Sequence, residues 1–248
     1  NLRVSEEFGM YFARIPLKTS PKIVHGNALT LDWNSVLPAE RASYVMGNPP
    51  FIGAKFMNDA QRADVRAVFA GIDNAGLLDF VAAWYVKAAR YIQGTNVQVA
   101  FVATNSITQG EQVGILWAEL LKYGVRVNFA HSTFRWSNEA RGVAAVYCVI
   151  IGFALFDRPQ KVLFEYETTD ADPHARPVSH INPYLIDGPD VLLKNRSTPL
   201  GNVPGMMYGS KPTDGGFFLF TEQEAEEQEG EPVHANETHS QYGEISMQ

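Results

Sequence analysis

The stretch Tyr44-Val45-Met46-Gly47-Asn48-Pro49-Pro50-Phe51 joins a short apolar run to a polar amide, two prolines and an aromatic ring. The apolar run predicts a strand, and the polar and proline residues that follow it are poorly suited to a core. The prolines fix φ and donate no N–H, so the turn is stiff and its carbonyl groups stay free to accept hydrogen bonds. The sequence therefore predicts a rigid, acceptor-rich loop at the carboxyl end of a strand.

This loop carries two side chains that are suited to binding a planar amine. Asn48 offers a side-chain carbonyl acceptor, and Phe51 offers a flat face for stacking. Two acceptors directed at one NH2 group localise the nitrogen lone pair, which an amine conjugated into a base ring needs before it attacks a methyl donor. We interpret Asn48, Pro49, Pro50 and Phe51 as a catalytic loop for N-methyl transfer; the alternative is a strand end followed by a rigid structural loop.

Strands and helices alternate along the chain up to about residue 157. The predicted strands cover residues 22–25, 43–46, 97–104, 125–131 and 143–156, and the predicted helices cover about 58–70, 77–92 and 111–123. Near-continuous apolar strands that alternate with helices predict an α/β fold with a Rossmann-like, largely parallel sheet covered on both faces. The last two strands are joined by a loop without a helix, which suggests an antiparallel edge.

Polar residues follow three of these strands. Asn48 follows the second strand, Asn105 and Ser106 follow the third, and a polar loop over residues 132–141 follows the fourth. The carboxyl ends of parallel strands meet at one edge of such a sheet, and ligands bind there. We therefore expect these residues to line a single site.

The composition indicates a globular protein without a disulfide framework. Of the 248 residues 46% are hydrophobic, and the one cysteine, Cys148, lies in an apolar run and is expected in the core. The longest uncharged apolar run, residues 143–156, is too short to cross a bilayer, and no signal peptide is evident. These features predict a cytoplasmic protein, and the histidines do not have the spacing of a metal site.

The net charge of −7 is concentrated at the end of the chain. From Glu222 onward there are eight Glu and no Asp, Lys or Arg, so the remaining 19 acidic residues nearly balance the 20 Lys and Arg. A nearly neutral body is weak for nucleic-acid binding, because a basic face normally supplies most of the affinity. We expect residues 221–248 to be disordered, and any DNA affinity to depend on a partner domain.

Four segments resemble amino-group DNA methyltransferases, in particular the MmeI-like single-chain restriction–modification enzymes. They are GNPPFIGAKFMN, LLDFVAAWYVKAARYI, AFVATNSITQGEQVG and FRWSNEARGVAAVYCVIIGFAL, and the resemblance extends over about residues 1–220. It implies S-adenosylmethionine as the methyl donor and adenine N6 as the acceptor. It also implies double-stranded DNA as the partner, with the target adenine flipped out of the helix.

The resemblance assigns roles to individual residues. It implies that Asn48, Pro49 and Phe51 bind the amine and stack on the base that carries it, and that Asn27 or Asp32 lies near the adenine of the donor. Asp79 falls where the family's next motif lies on the cofactor side; the alternative for Asp79 is a solvated helix residue.

Aromatic and basic residues of the predicted polar loop are further candidates. Phe134 and Trp136 lie close in sequence to Arg135 and Arg141. The rings could sandwich a flipped base, and the arginines could contact phosphates. The alternative is a loop that folds onto the protein surface.

The chain differs from the family pattern, because we find no Gly-rich cofactor loop before Asn48, no nuclease segment with paired carboxylates and no full target-recognition domain. We therefore expect a fragment that is inactive in isolation. Residues 1–157 form a partial catalytic domain, residues 158–220 form an irregular connector towards a missing target-recognition domain, and the acidic tail follows. Two other functions remain open: methylation of a glutamine amide or an RNA base, and non-catalytic binding of DNA or a partner.

Overall fold

The structure is a computed structural model that describes residues 21–136 and 146–193, together with Thr198 and Gly201. The chain divides into two compact units, residues 1–195 and 196–248, and the elements below all belong to the first. Arg141, most of the predicted connector beyond residue 193 and the predicted acidic tail lie outside the described residues.

Among the described residues, six strands form one mixed sheet in the order β1-β2-β4-β3-β5-β6. The strands β1–β2 and β3–β5 pair in parallel, and the other neighbours are antiparallel. The predicted α/β class is confirmed, with more antiparallel pairing than the sequence predicted. The strands are β1 (Tyr44–Gly47), β2 (Gln98–Thr104), β3 (Arg126–Trp136), β4 (Val146–Ala154), β5 (Lys161–Glu165) and β6 (His174–Val178).

The strand β4 lies inside the sheet, so the prediction that it forms an antiparallel edge was wrong. It pairs antiparallel with β3, as predicted, but its other side pairs with β2. Cys148, Val149, Ile151 and Phe153 of β4 are all buried. Such an apolar strand is stabilised most when neighbouring strands and packed side chains cover it on all sides.

The strand β3 is longer than predicted and continues into the predicted polar loop. It extends to Trp136, with an irregularity in its pairing with β4 between His131 and Phe134. Phe134, Arg135 and Trp136 therefore lie on a paired strand and not in a loop. Hydrogen bonding to β4 fixes the backbone that carries the two predicted stacking residues.

The sheet also continues past residue 157, where the sequence analysis places the end of the catalytic domain. β5 pairs with β3 and β6 pairs with β5, so the first part of the predicted connector belongs to this sheet. The predicted strand at residues 22–25 is not formed, and Ile23 in this segment is 84% exposed. An extended segment becomes a strand only where a neighbouring strand accepts its hydrogen bonds.

Within residues 21–136 and 146–193, four helices accompany the sheet, namely α1 (Trp33–Val36), α2 (Asp59–Val68), α3 (Ala82–Tyr91) and α4 (Gly110–Lys122). Asn58 caps α2, because Asn58 and Gln61 exchange two hydrogen bonds between side chain and backbone, each 2.9 Å long. The helix α3 begins later than predicted. A 3-10 turn precedes it, and Leu77 in that turn is 48% exposed.

Aromatic side chains anchor the two longer apolar helices in the core. Tyr85 of α3 packs against Phe101 of β2 and Phe153 of β4, with ring centroids 5.3 and 5.7 Å apart. Trp117 of α4 is buried, and its indole N–H donates to the carbonyl oxygen of Ile107. Within the described residues, no helix combines the length and the hydropathy that a membrane span needs.

A buried cation joins the start of β5 to the segment after β6. The side chain of Lys161 is 3% exposed, and its Nζ lies 2.9 Å from Asp157 Oδ1. The same ammonium group donates to the carbonyl oxygens of Arg158 and Ser179. Hydrogen bonding to Lys161 lowers the pKa of Asp157. This cluster lies at the opposite edge of the sheet from the carboxyl end of β1.

We expect Lys161→Met to lower the free energy of unfolding by about 1–3 kcal/mol, because two carbonyl groups lose their charged donor. Urea denaturation of the whole protein measures the loss. The loss should shrink as the pH falls below 3.8, the ordinary pKa of the aspartate, because protonation of Asp157 removes the ion pair from the wild type as well.

The control for this substitution is Lys22→Met. Lys22 is exposed and donates one hydrogen bond, to the carbonyl oxygen of Ser35. Its replacement should cost less than about 1 kcal/mol. A Lys161→Met protein that is as stable as the Lys22→Met protein at neutral pH contradicts the stabilising role of the buried cation.

Candidate active site

The carboxyl ends of β1, β2, β3 and β5 lie at the same edge of the sheet, because these four strands run in one direction. Asn48, Asn105, Trp136 and Tyr166 are found at or just after these ends. The predicted convergence at one edge is therefore confirmed. Because β2 and β4 lie between them, β1 and β3 are three strand spacings apart, or about 14 Å.

The predicted catalytic loop leaves β1 at Gly47 and lies at the protein surface. Pro49 is buried, whereas Asn48 and Pro50 are exposed and Phe51 is partly buried. The buried proline anchors the loop, and the exposed Asn48 leaves its amide at the surface. Beside the loop lies a cleft of about 420 Å³, whose lining includes Asn48, Pro49, Pro50, Ala28, Trp33 and Trp84.

The backbone beyond the motif is held by the residues that precede α3. The Phe80 N–H donates to the carbonyl oxygen of Ile52 at 2.8 Å. The Ala54 N–H donates to Asp79 Oδ1 at 2.9 Å, and the Ser106 hydroxyl donates to Asp79 Oδ2. Asp79 is 9% exposed and lies before the helix, so its reading as a solvated helix residue is wrong. Its predicted role towards the cofactor stays a prediction.

Asn27 and Asp32, the two predicted donor contacts, lie in the loop that precedes α1. Asn27 Oδ1 accepts the Leu29 N–H at 2.9 Å, and its Nδ2 donates to Asp64 at 2.7 Å. Asp32 caps α1 by accepting the Asn34 N–H at 3.0 Å. Both side chains are exposed and shape this loop. Ala28 and Trp33 of the same segment line the cleft beside the motif, so the structure brings the two predicted regions together.

Lys87 of α3 holds this loop in place, and no motif in the sequence marks it as a site residue. Its ammonium group donates to the carbonyl oxygens of Leu29 and Leu31, both at 2.6 Å, and lies 5.7 Å from the ring centre of Trp33. Burial lowers the pKa of Lys87, and the nearby carboxylate of Asp32 opposes that shift. The one signal in the sequence was a lysine within a helix whose other residues are largely apolar.

The aromatic residues of β3 belong to a cluster that also includes β5 and the residue after it. Phe134 stacks on Tyr166 with ring centroids 5.4 Å apart, and Trp136 lies 6.2 Å from Phe134. His131 stacks on Phe164 at 4.2 Å, and its Nδ1 is 2.7 Å from the Tyr166 hydroxyl. Burial lowers the pKa of His131, which favours its neutral form. Trp136 is 41% exposed.

Arg135 is oriented by the loop that follows β5. Its guanidinium lies 3.4 Å from Asp170 Oδ1, and its backbone N–H donates to the carbonyl oxygen of Thr169 at 2.7 Å. Both charged side chains are about half exposed, and an exposed pair of this kind contributes little stability. The contact predicted for Arg141 lies outside the described residues.

Comparison with known proteins places this site in a family. Residues 1–165 match the family described as MmeI, DNA-methyltransferase domain. The chain is 43% identical over 210 residues to DNA methyltransferase A of Bacillus subtilis strain 168, an alignment that covers 84% of this chain and 23% of that protein. The solved structure of the Type IIL restriction-modification enzyme MmeI in complex with DNA matches with a TM-score of 0.81 and 53% identity.

The match to the MmeI structure covers 92% of this chain and 31% of that chain. This chain therefore spans between about a quarter and a third of the length of these two relatives. The family match covers well over half of the chain and includes the motif loop, the loop before α1, α3 and the strands β1 to β4. The chain belongs to the family of MmeI-type DNA-methyltransferase domains.

Proposed function

We propose that this chain forms part of a restriction–modification DNA methyltransferase that transfers a methyl group from S-adenosylmethionine to adenine N6. The observation that carries the proposal is the Asn48-Pro49-Pro50-Phe51 loop at the carboxyl end of β1, beside a cleft that it shares with the loop before α1. The names of the two relatives support DNA as the substrate and favour it over an RNA base or a glutamine amide.

In this proposal Asn48 and the motif backbone activate the acceptor amine. The side-chain carbonyl of Asn48 and a backbone carbonyl of the proline turn accept its two N–H groups. These contacts localise the nitrogen lone pair, so that the nitrogen forms its bond to the methyl carbon as the bond from carbon to sulfur breaks. The methylated amine is acidic and loses a proton to water, so the loop contributes positioning and polarisation and no base is needed.

The cleft beside the motif has the chemistry that a nucleoside-containing donor needs. Trp33 and Trp84 provide aromatic surface, Ala28 and the prolines provide aliphatic surface, and Asn48 provides a polar group at the rim. When bound, S-adenosylmethionine supplies an electrophilic methyl group. We propose that residues 27–33, including Asn27 and Asp32, contact its adenosine part and that Lys87 keeps this loop in shape.

Phe51 and the β3 aromatic residues have the second task of holding a flipped adenine. Phe51 is partly buried and lies three residues after the exposed Asn48, so both side chains belong to the same short, proline-stiffened loop. Phe134 and Trp136 lie at the same edge of the sheet and are candidates for the opposite face of the base. Arg135 and Arg141 are the candidate phosphate contacts, and inactivity of the isolated chain stays a prediction.

We expect Asn48→Ala in the whole protein to lower methyl incorporation about 100- to 1000-fold, because one of the two acceptors on the reacting amine is lost. Labelled S-adenosylmethionine and DNA that contains the recognition site provide the assay. Asn96→Ala, at an exposed asparagine just before β2, is the matched control and should retain wild-type activity. Near-wild-type incorporation by Asn48→Ala contradicts the assigned role.

The same assay identifies the acceptor. Digestion of the labelled DNA should release N6-methyladenine as the labelled nucleoside. Unlabelled DNA should compete with the labelling reaction, whereas RNA and a glutamine-containing peptide should not. Label recovered in cytosine, in RNA or in the peptide contradicts adenine-N6 methylation of DNA.

We expect Phe51→Ala to weaken capture of the flipped base, because stacking on an aromatic ring contributes about 1–3 kcal/mol per base. Phe51→Trp should largely preserve it. The measurement is the fluorescence of 2-aminopurine at the target position, which rises when the base leaves the duplex and is quenched by a covering ring. Tyr44→Ala, at an exposed ring on the other end of β1, is the control. A signal from Phe51→Ala that equals wild type contradicts stacking by Phe51.

We expect Lys87→Met to raise the KM for S-adenosylmethionine by about tenfold or more, because the loop before α1 loses two charge-assisted hydrogen bonds. The kcat should change less, since the catalytic loop has separate support. Steady-state kinetics at saturating DNA separates the two constants, with Lys22→Met as the control lysine. An unchanged donor KM shows that this loop does not contact the donor.

A further inference from the structure

We propose that Asp79 is a positioning residue that fixes the catalytic loop through hydrogen bonds, instead of contacting the methyl donor. This inference rests on the proposed function. In it, Asp79 affects catalysis by keeping Asn48 and Phe51 in position. Asp79 lies between the loop beyond the motif, the end of β2 and the start of α4, and it is 9% exposed.

On one side Asp79 holds the backbone that follows the motif. Its Oδ1 accepts the Ala54 N–H at 2.9 Å, and the next residue, Phe80, donates its N–H to the carbonyl oxygen of Ile52 at 2.8 Å. Gly53 lies in van der Waals contact range of the same carboxylate, because a Cβ built on Gly53 would lie 3.7 Å from Asp79 Oδ1. The two hydrogen bonds, at Ile52 and Ala54, fall within three residues of Phe51.

On the other side Asp79 is fixed to rigid elements. Its Oδ2 accepts the hydroxyl of Ser106, which lies 2.9 Å from the hydroxyl of Thr104 at the end of β2. Its backbone N–H donates to the side-chain carbonyl of Gln112 in α4 at 3.0 Å. The carboxylate of Asp79 therefore links the end of β2 to the loop that carries Phe51 by hydrogen bonds.

The pattern of donors distinguishes a positioning role from a role that needs negative charge. Both contacts of the Asp79 carboxylate are to neutral donors, the Ala54 N–H and the Ser106 hydroxyl. An asparagine can reproduce both contacts: its carbonyl accepts the backbone N–H, and its NH2 donates to the hydroxyl, which can accept as well as donate. Positioning therefore tolerates Asp79→Asn, whereas charge-dependent binding or proton transfer does not.

The experiment compares Asp79→Ala, Asp79→Asn and Ser106→Ala in the whole protein. We measure kcat and donor KM for methyl incorporation, and hydrogen–deuterium exchange of the peptide that covers residues 52–57. Lys161→Met is the matched control, because it also removes a buried, hydrogen-bonded charge but lies at the opposite edge of the sheet. It should lose stability while its kcat and the exchange of this peptide stay at wild-type values.

We expect Asp79→Ala to lower kcat about 10- to 100-fold, since a misplacement of about 1 Å at a reacting group costs up to this amount. Its donor KM should stay within about threefold of wild type, and exchange at residues 52–57 should accelerate. Asp79→Asn should retain kcat within about threefold of wild type. The kcat of Ser106→Ala should lie between those of Asp79→Ala and Asp79→Asn.

Two results overturn the inference. If Asp79→Asn is as impaired as Asp79→Ala, the charge of Asp79 matters and positioning by hydrogen bonds is not its role. If Asp79→Ala loses stability but keeps its kcat and the exchange rate of residues 52–57, Asp79 is a structural residue like Lys161. If the wild-type protein does not methylate adenine, the proposed function fails, and the exchange measurement still decides whether Asp79 holds this loop.

Discussion

The two consecutive prolines of the motif impose the constraint on which the rest of the site depends. Pro49 and Pro50 donate no N–H, so this turn has few ways to fix its own position. Its stiffness defines its internal shape, and its place in the molecule comes from the packing of the buried Pro49 together with hydrogen bonds made by other segments. The bonds from Phe80 to Ile52 and from Ala54 to Asp79 provide them just beyond the motif.

The segment around α3 supports both loops that border the cleft. Asp79 and Phe80 precede the helix and hold the motif loop, and Lys87 within the helix holds the loop before α1. The helix is fixed in turn by Tyr85, which packs on Phe101 and Phe153 of the sheet. Because close-packed interiors resist small displacements, the hydrophobic core sets the distance between the two loops. The packing of α3 in the core therefore sets the positions of the two loops that are proposed to bind the methyl donor and the acceptor base.

The strand order decides which residues can cooperate across the site. With β4 between β2 and β3, the aromatic residues of β3 lie about three strand spacings from β1. The ends of β2 and β4 therefore lie between the motif loop and the β3 residues for which base stacking is proposed. The contact of Phe134 with Tyr166 stabilises this distant side, because it joins β3 to the segment after β5. The first part of the region predicted as a connector therefore belongs to the structure that supports the site.

The sequence by itself determined the features that depend on residues close together in the chain. The apolar run before Asn48, the stiffness of Pro49 and Pro50 and the capping box at Asn58 are local features, and each was predictable from residue type and spacing. The α/β class followed from the same local patterns, and so did the burial of Cys148.

The tertiary structure alone decided the features that join residues far apart in the chain. The insertion of β4, the burial of Asp79 against Ala54 and Ser106, the contacts of Lys87 with the loop before α1 and the stacking of Phe134 on Tyr166 all belong to this group. Local periodicity indicates that a segment is a strand or a helix, but not which partner it meets. That choice depends on which arrangement buries the apolar surface while satisfying the polar groups taken with it, and it is made only when the whole chain packs.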